Sequence, residues 1–107
     1  MADLEQLIAE EKAKILAETA TINWQSLEKF YAQGKVFLVE SDLNLVDVAY
    51  SLSINETADI ETWLESKQLS RDFNDQAKLW HQQDAEVWCV VIKPWILVQA
   101  NNRSFKA

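Results

Sequence analysis

The chain has 107 residues, of which 49% are hydrophobic and 25% are charged, a composition that fits one globular domain and excludes a disordered or collagen-like chain. It carries 17 acidic and 10 basic residues, which gives a net charge of −7, and its lysines and arginines form no run of three. Because such a charge repels phosphates, we expect neither nucleic acid nor an anionic membrane as a partner.

The amino-terminal part of the chain predicts two helices. Apolar residues recur at near-helical spacing over roughly Asp3–Thr21, at Leu4, Leu7, Ile8, Ile15 and Ile22. Asn23 is predicted to cap a second helix that carries Trp24, Leu27, Phe30 and Tyr31 on one face. Gly34 stands where that helix needs a residue tolerant of left-handed backbone, so we expect a helical hairpin.

The middle of the chain predicts a strand followed by three helices. Four consecutive apolar residues, Val36–Val39, indicate a strand with both faces covered. Asn44 is predicted to cap the third helix and Asn55 the fourth, while either Asp72 or Asn74 caps the fifth. Leu69–Arg71 is predicted to add a short edge strand. The apolar stripes of these helices are Leu45, Val48, Ala49 and Leu52; Ile60, Trp63 and Leu64; and Phe73, Ala77 and Trp80.

The nearly unbroken apolar run Val87–Val98 is too short to cross a bilayer and predicts buried strands. We expect a strand over Val87–Ile92, a bend at Lys93-Pro94 and an extended segment over Trp95–Gln99, without a two-residue hairpin, because the favoured hairpin turns need a positive φ that proline cannot adopt.

These elements together predict an α+β fold, in which a small, mainly antiparallel sheet of about three to four strands packs against about five helices. Residues 1–107 are expected to form a single globular domain, with Asn101–Ala107 as a flexible tail.

Several groups of residues resemble the bacterial family known as domain of unknown function 2288. They are Glu18-Thr19-Ala20 with Ile22 and Trp24, Leu43 with Leu45-Val46 and Val48-Ala49, Trp63-Leu64, Trp80, Trp88 with Val90-Val91, and Pro94–Gln99. The resemblance covers about Leu16–Gln99, and its final segment is the most specific part. It implies a bacterial, intracellular, single-domain protein and assigns no activity, cofactor or catalytic residue.

Candidate catalytic and metal-binding groups are few. His81 with Asp84 and Glu86 is the nearest local cluster of metal ligands, but a helix-end or solvent role for the histidine is favoured. Cys89 lies among apolar residues, where desolvation disfavours the reactive thiolate. We therefore predict no metal, no cofactor and no catalytic residue, and lean against an enzyme.

Asp42 and Asp47 are candidates for an acid–base pair near the start of the third helix, but helix-capping roles are favoured over catalysis. The five tryptophans are interpreted mainly as core residues. Trp95, directly after the bend, is the one most readily assigned to an interface.

Two functions remain open. The first is a non-catalytic protein-interaction or regulatory module, either a homodimer formed through unpaired strand edges in Val87–Gln99 or a binder of another protein. The alternative is a small-ligand pocket, or an enzyme of unknown reaction, rimmed by Trp95, Gln99, Asp42 and Asp47. The lone cysteine and the absence of a signal-peptide pattern at the amino terminus predict a cytoplasmic location.

Overall fold

A computed structural model describes residues 2–101 of the chain. Its helices are α1 (Ala2–Glu18), a 3₁₀ helix (Trp24–Leu27), α2 (Glu28–Ala32), α3 (Leu45–Ser53), α4 (Thr57–Glu65) and α5 (Asn74–Gln83). Its strands are β1 (Ala20–Asn23), β2 (Val36–Val39), β3 (Leu69–Ser70), β4 (Glu86–Ile92) and β5 (Trp95–Ala100). Within this part of the chain, no helix combines the length and the apolar character needed to cross a membrane.

The five strands form one mixed sheet in the order β1-β4-β5-β2-β3. Strands β2 and β5 run parallel, while the other three neighbouring pairs are antiparallel. The α+β class with five α-helices is confirmed, but the prediction of three to four strands in a mainly antiparallel sheet missed β1 and the parallel pair. The short edge strand predicted at Leu69–Arg71 is confirmed as β3.

The predicted helical hairpin is wrong, because α1 ends at Glu18 and β1 begins two residues later. Thr19 turns the chain out of the helix, with its hydroxyl donating to the Ile15 carbonyl at 2.7 Å. The β-branched Thr21 and Ile22 then pair with Trp88 and Val87 of β4. A pairing partner more than 60 positions along the chain cannot be read from local helical spacing.

Strands β4 and β5 form the two-residue hairpin that the sequence argument had rejected. Ile92 pairs with Trp95, so that only Lys93 and Pro94 form the turn. The Lys93–Pro94 peptide bond is cis. Tight turns with a cis-proline in the third position are a separate class that needs no positive φ, so the proline does not exclude a two-residue hairpin.

Two of the predicted helix caps are confirmed. The Asn23 side chain accepts from Gln25 N at 2.9 Å at the start of the 3₁₀ helix. The Asn44 side chain accepts from Val46 N and Asp47 N, at 2.9 and 3.2 Å, at the start of α3. Each therefore satisfies main-chain donors that a helix leaves unpaired at its first turn.

The other two cap predictions are wrong. Asn55 lies one residue before the N-cap of α4 and has a φ of 58°, because it ends α3 in left-handed backbone. The N-cap of α5 is Phe73, with no capping side chain. Asn74 instead accepts from the Tyr31 hydroxyl through Oδ1, and this tertiary contact uses the group that a cap would need.

Helices cover both faces of the sheet, which explains why all four residues of β2 are buried, as predicted. One face packs against the 3₁₀ helix, α2 and α5, in a core of Trp24, Leu27, Val36, Leu38, Phe73, Ala77, Trp80, Val87, Ile96 and Val98. The other packs against α1, α3 and α4, in a core of Ile15, Phe37, Val39, Leu45, Val48, Ala49, Leu69, Val90 and Leu97. Successive residues of a strand point to opposite faces, so each central strand supplies both cores.

The apolar stripe predicted for α1 reaches the core only at Ile15. Leu4, Leu7 and Leu16 are 65%, 59% and 62% exposed. At the other end of the described residues, β5 continues to Ala100, one residue beyond the predicted segment. The prediction of a flexible tail over 101–107 concerns residues that, apart from Asn101, lie outside the described part of the chain.

Gly34 follows α2 with a φ of +76°, as its position predicted. A Cβ added there would lie 3.3 Å from Arg71 Nη2, and side-chain-bearing residues rarely adopt this φ. We expect Gly34→Ala to lower the free energy of unfolding by about 1 kcal/mol, measured by urea denaturation. Gly34→Asn should lose less, because asparagine tolerates left-handed backbone better. Equal stability of Gly34→Ala and wild type would contradict this account.

Candidate functional site

The structure does not gather the four predicted site residues into one pocket. Trp95 and Gln99 share a face of β5 but stand at its opposite ends, about 13 Å apart at the rise of an extended strand. Asp42 lies in the loop after β2, and Asp47 lies in the first turn of α3. Each of the four has a separate set of contacts.

Gln99 ties the loop after β2 to the end of β5. Its Nε2 donates to the main-chain carbonyl of Glu40 at 2.9 Å and to that of Leu43 at 2.7 Å. Both hydrogens of the amide are therefore used, and two carbonyls that no strand partner reaches are satisfied. This side chain is a structural clamp on the loop that leads into α3.

The two aspartates connect surface segments. Asp42 accepts from Gln68 Nε2 at 2.8 Å, and Asp47 lies 3.0 Å from Lys12 Nζ on α1. Asp47 also stands at the positive end of the α3 dipole, as its predicted capping role requires. Both residues are exposed, so the burial that the acid–base hypothesis needed is missing.

Trp95 belongs to a closed stack at the start of β5. Its ring packs edge-on against Phe37, with centroids 5.2 Å apart. The Arg71 guanidinium carbon lies 5.3 Å from the Trp95 ring centroid, and its Nη2 donates to the Gly34 carbonyl at 2.8 Å. The half-buried tryptophan is thus covered by its own chain, which weakens its assignment as an interface anchor.

Of the four residues, Gln99 lines a cleft with a volume of about 440 Å³ whose lining does not include the other three. The last turn of α1 and the first turn of α3 form its walls, and Trp88 faces Gln99 across the β4–β5 pair. The lining residues are Leu16, Thr19, Leu43, Asn44, Leu45, Val46, Trp88 and Gln99. Sequence reasoning missed Leu16 because it lies off the helical stripe, and Trp88 because it was interpreted as core.

A more polar cleft of about 510 Å³ lies at the start of α5 and includes Glu40, Asp72 and Asp75 in its lining. Among the side chains that the structure describes, no three His, Cys, Asp or Glu residues come close enough to hold a metal ion. The three acidic residues of this cleft therefore do not form a metal-binding group.

Cys89 and His81 have separate environments. Burial raises the pKa of the Cys89 thiol, which disfavours the thiolate that nucleophilic chemistry needs. His81 lies in the last turn of α5, with Nδ1 2.8 Å from Glu28 Oε2 on α2. The imidazole thus joins α5 to α2. Its acidic partner is Glu28, and not Asp84 or Glu86, the two residues with which the sequence grouped it.

The tryptophans divide between the two cores. Trp24 and Trp80 are 0% and 4% exposed, with ring centroids 5.2 Å apart, whereas Trp63, Trp88 and Trp95 are half-buried against the opposite face. Of the five tryptophans, only Trp24 and Trp80 are therefore fully packed in a core. Trp24 Nε1 has no hydrogen-bond partner within residues 2–101, contrary to the expectation that buried indoles bond to carbonyls.

The free edges of the sheet do not lie where the sequence argument placed them. β4 and β5 are central strands, so the proposed pairing through unpaired edges in Val87–Gln99 is wrong. The edges belong to β1 and β3. Trp24 N donates to Ala85 O, so the main-chain groups of Trp24 face the β4 side. Main-chain groups alternate sides along a strand, so the N–H and C=O of Thr21, three residues earlier, point away from β4.

Exposed apolar side chains flank this edge on both faces of the sheet. On one face, Val91 is 51% exposed. It lies two residues after Cys89 in β4, and Cys89 pairs with Ala20, so Val91, Cys89 and Ala20 share this face of the sheet. Leu16 lines the cleft beside Trp88, the partner of Thr21, on the other face. We name Ala20–Asn23 together with Leu16 and Val91 the β1-edge surface.

Comparison with known proteins identifies a family and a similar fold. The model of a family described as Protein of unknown function (DUF2288) matches residues 10–100. The NMR solution structure of PA1075 from Pseudomonas aeruginosa has a TM-score of 0.75 to this chain and is 37% identical, over 83% of this chain and 82% of that one. No curated protein matches.

Replacing Gln99 by leucine tests the clamp. Gln99→Leu removes the Gln99 donor from the Leu43 carbonyl and leaves the Glu40 carbonyl with the Leu43 N–H alone, and we expect a loss of about 1–3 kcal/mol in the free energy of unfolding, measured by urea denaturation. Gln82→Leu, on the exposed side of α5, is the matched control and should change stability by less than about 0.5 kcal/mol. Equal effects of the two substitutions would rule out the clamp.

Proposed function

The chain belongs to the family described as Protein of unknown function (DUF2288), and we propose that it is a non-catalytic protein-interaction module whose partner binds along the β1-edge surface. The observation that carries the proposal is the free main-chain edge at Thr21, with the exposed Leu16 and Val91 on either side.

Unpaired main-chain donors and acceptors at a sheet edge favour the addition of an extended strand from another chain. Such a strand would gain hydrogen bonds from Thr21, while its side chains could cover Leu16 on one face and Val91 on the other. Burial of these apolar side chains would add to the main-chain pairing at about 25 cal/mol per Å² removed from water.

The predicted site residues are used in contacts within the chain. Asp42, Asp47 and Gln99 all bond to groups of the same chain, and the Trp95 ring is stacked against Phe37 and Arg71. Their polar atoms hold loops and helices in place. In the same proposal, the protein is a single domain in the bacterial cytoplasm, and its net charge of −7 argues against nucleic acid as the partner.

Site-specific photocrosslinking in bacterial cells tests the proposal. A photoreactive phenylalanine analogue in place of Thr21 should form covalent adducts with protein upon irradiation, because it would lie within the interface. The same analogue in place of Thr57, an exposed residue at the start of α4, is the matched control and should form none. Both proteins are first checked for native circular dichroism. Absence of adducts at position 21, or equal adducts at both positions, would overturn the proposal.

A small-ligand function is the second candidate, favoured by the cleft between Trp88 and Gln99. Its volume of about 440 Å³ falls within the range of sites for small molecules, and five of its eight lining residues are apolar or aromatic. A planar apolar compound could lie against the half-buried Trp88 ring. The notion of a rim formed by Trp95, Asp42 and Asp47 receives no support from the lining.

Amide chemical shifts would reveal such a ligand directly. We expect that an NMR screen of the ¹⁵N-labelled chain against a library of bacterial metabolites finds compounds that shift Leu43, Val46 and Gln99 together. Leu16→Lys, which places a charge in the cleft wall, should abolish these shifts without loss of the native spectrum. If no compound in the library moves these amides, the ligand hypothesis loses its basis.

A further inference from the structure

We infer that the partner at the β1-edge surface is a second copy of this chain, joined by antiparallel pairing of the two β1 strands about a two-fold axis at Thr21. This inference rests on the proposed function, since it names the partner of the same surface. Closed two-fold pairs are the commonest assemblies of soluble proteins, and an antiparallel strand edge is complementary to itself.

The backbone geometry selects the register. In a continuous sheet, paired residues must point to the same face, so a two-fold axis passes through a residue pair and not between pairs. An axis at Ile22 would pair Ala20 with Trp24, where the chain already turns into the 3₁₀ helix and Trp24 N donates to Ala85 O. An axis at Thr21 avoids the 3₁₀ helix and keeps the pairs Ala20–Ile22 and Thr21–Thr21 within β1, with Asn23 opposite Thr19 at the end of α1. It also lets the two Thr21 residues exchange both N–H···O=C bonds, because these groups point outward.

The two edges of the sheet differ in how they are protected. Strand β3 has only two residues, and Arg71 follows it directly, so this edge is short and charged. Strand β1 has four residues, with no proline and no charged side chain, and Ala20 and Thr21 are exposed. One edge thus carries the features that prevent strand addition, and the other carries none of them.

Charge explains why the contact would form at β1 in particular. Two copies that each carry −7 repel one another over most approaches. No charged residue occurs from Thr19 to Leu27, so β1 itself is uncharged, with acidic residues at its two ends, Glu18 before it and Asp84 and Glu86 beside Asn23. A basic partner would be drawn to the acidic surfaces, whereas a second copy meets the least repulsion about the uncharged centre of β1.

The same geometry places exposed apolar side chains on both faces of the joined sheet, beside the contact between the two β1 strands. A two-fold axis perpendicular to the sheet keeps each face on its own side, so Leu16 of the two copies lies above one face and Val91 of both lies beneath the other. Because four-residue strands bury less than the roughly 1,200–2,000 Å² of a standard interface, we expect a reversible dimer that depends on concentration.

Charge complementation tests this arrangement. Sedimentation equilibrium of the full chain, from about 1 µM to about 500 µM, should show a monomer–dimer equilibrium. Thr21→Lys alone and Thr21→Glu alone should each raise the dissociation constant at least about tenfold, because like charges would face each other at the axis. An equimolar mixture of the two variants should restore dimers. Thr57→Lys and Thr57→Glu, mixed in the same way, are the matched controls and should behave as wild type.

Each outcome decides the inference. A monomer at every concentration, or Thr21 variants that dimerise like wild type, would overturn it, as would a mixture that stays monomeric while both variants keep native circular dichroism. If the chain is monomeric and photocrosslinking at position 21 still captures a different protein, the proposed function stands and only the second copy is excluded. If both experiments are negative, both proposals fall.

Discussion

Antiparallel pairing of β4 with β5 is the contact on which the rest of the structure depends. It joins six residue pairs, from Val87 with Ala100 to Ile92 with Trp95, and the other strands extend the sheet from this hairpin, with β3 attached through β2. β1 attaches to β4 and β2 attaches to β5. Because the hairpin is central, each of its strands must present apolar side chains to both faces, and this explains the near-continuous apolar run from Val87 to Val98.

The elements that sequence patterns predicted well are those governed by local rules. Val36–Val39 is a strand because four consecutive apolar residues need cover on both faces, and Asn44 caps α3 through its own side chain. The failures involve partners that are distant in sequence. Thr21 and Ile22 follow the helical spacing of the preceding residues in the sequence, but in the structure they pair with β4 as part of a strand. Asn74 is a favourable N-cap residue by type, but its Oδ1 accepts a hydrogen bond from the Tyr31 hydroxyl instead. Tertiary contacts overrode local preference in both cases.

The candidate site shows the same division. Residue type and position in the sequence singled out Asp42, Asp47, Trp95 and Gln99, and Asp47 does occupy the helix start that its position suggested. What these residues contact depends on where β2, β3 and β5 meet, which no local pattern encodes. The β1-edge surface could not be predicted at all, because β1 itself was assigned to helices. A free edge becomes visible only when the order of the strands is known.

The order of the strands also has a consequence for synthesis of the chain. β1 and β2 are synthesised before their partners β4 and β5. Until β4 and β5 follow, β1 has no strand partner, β2 can pair only with the two-residue β3, and neither core has its central strands. Non-local pairing of this kind slows folding and leaves apolar segments open to chaperones and to aggregation. Premature termination before Glu86 would therefore release a product that can complete neither core, not a smaller version of the fold.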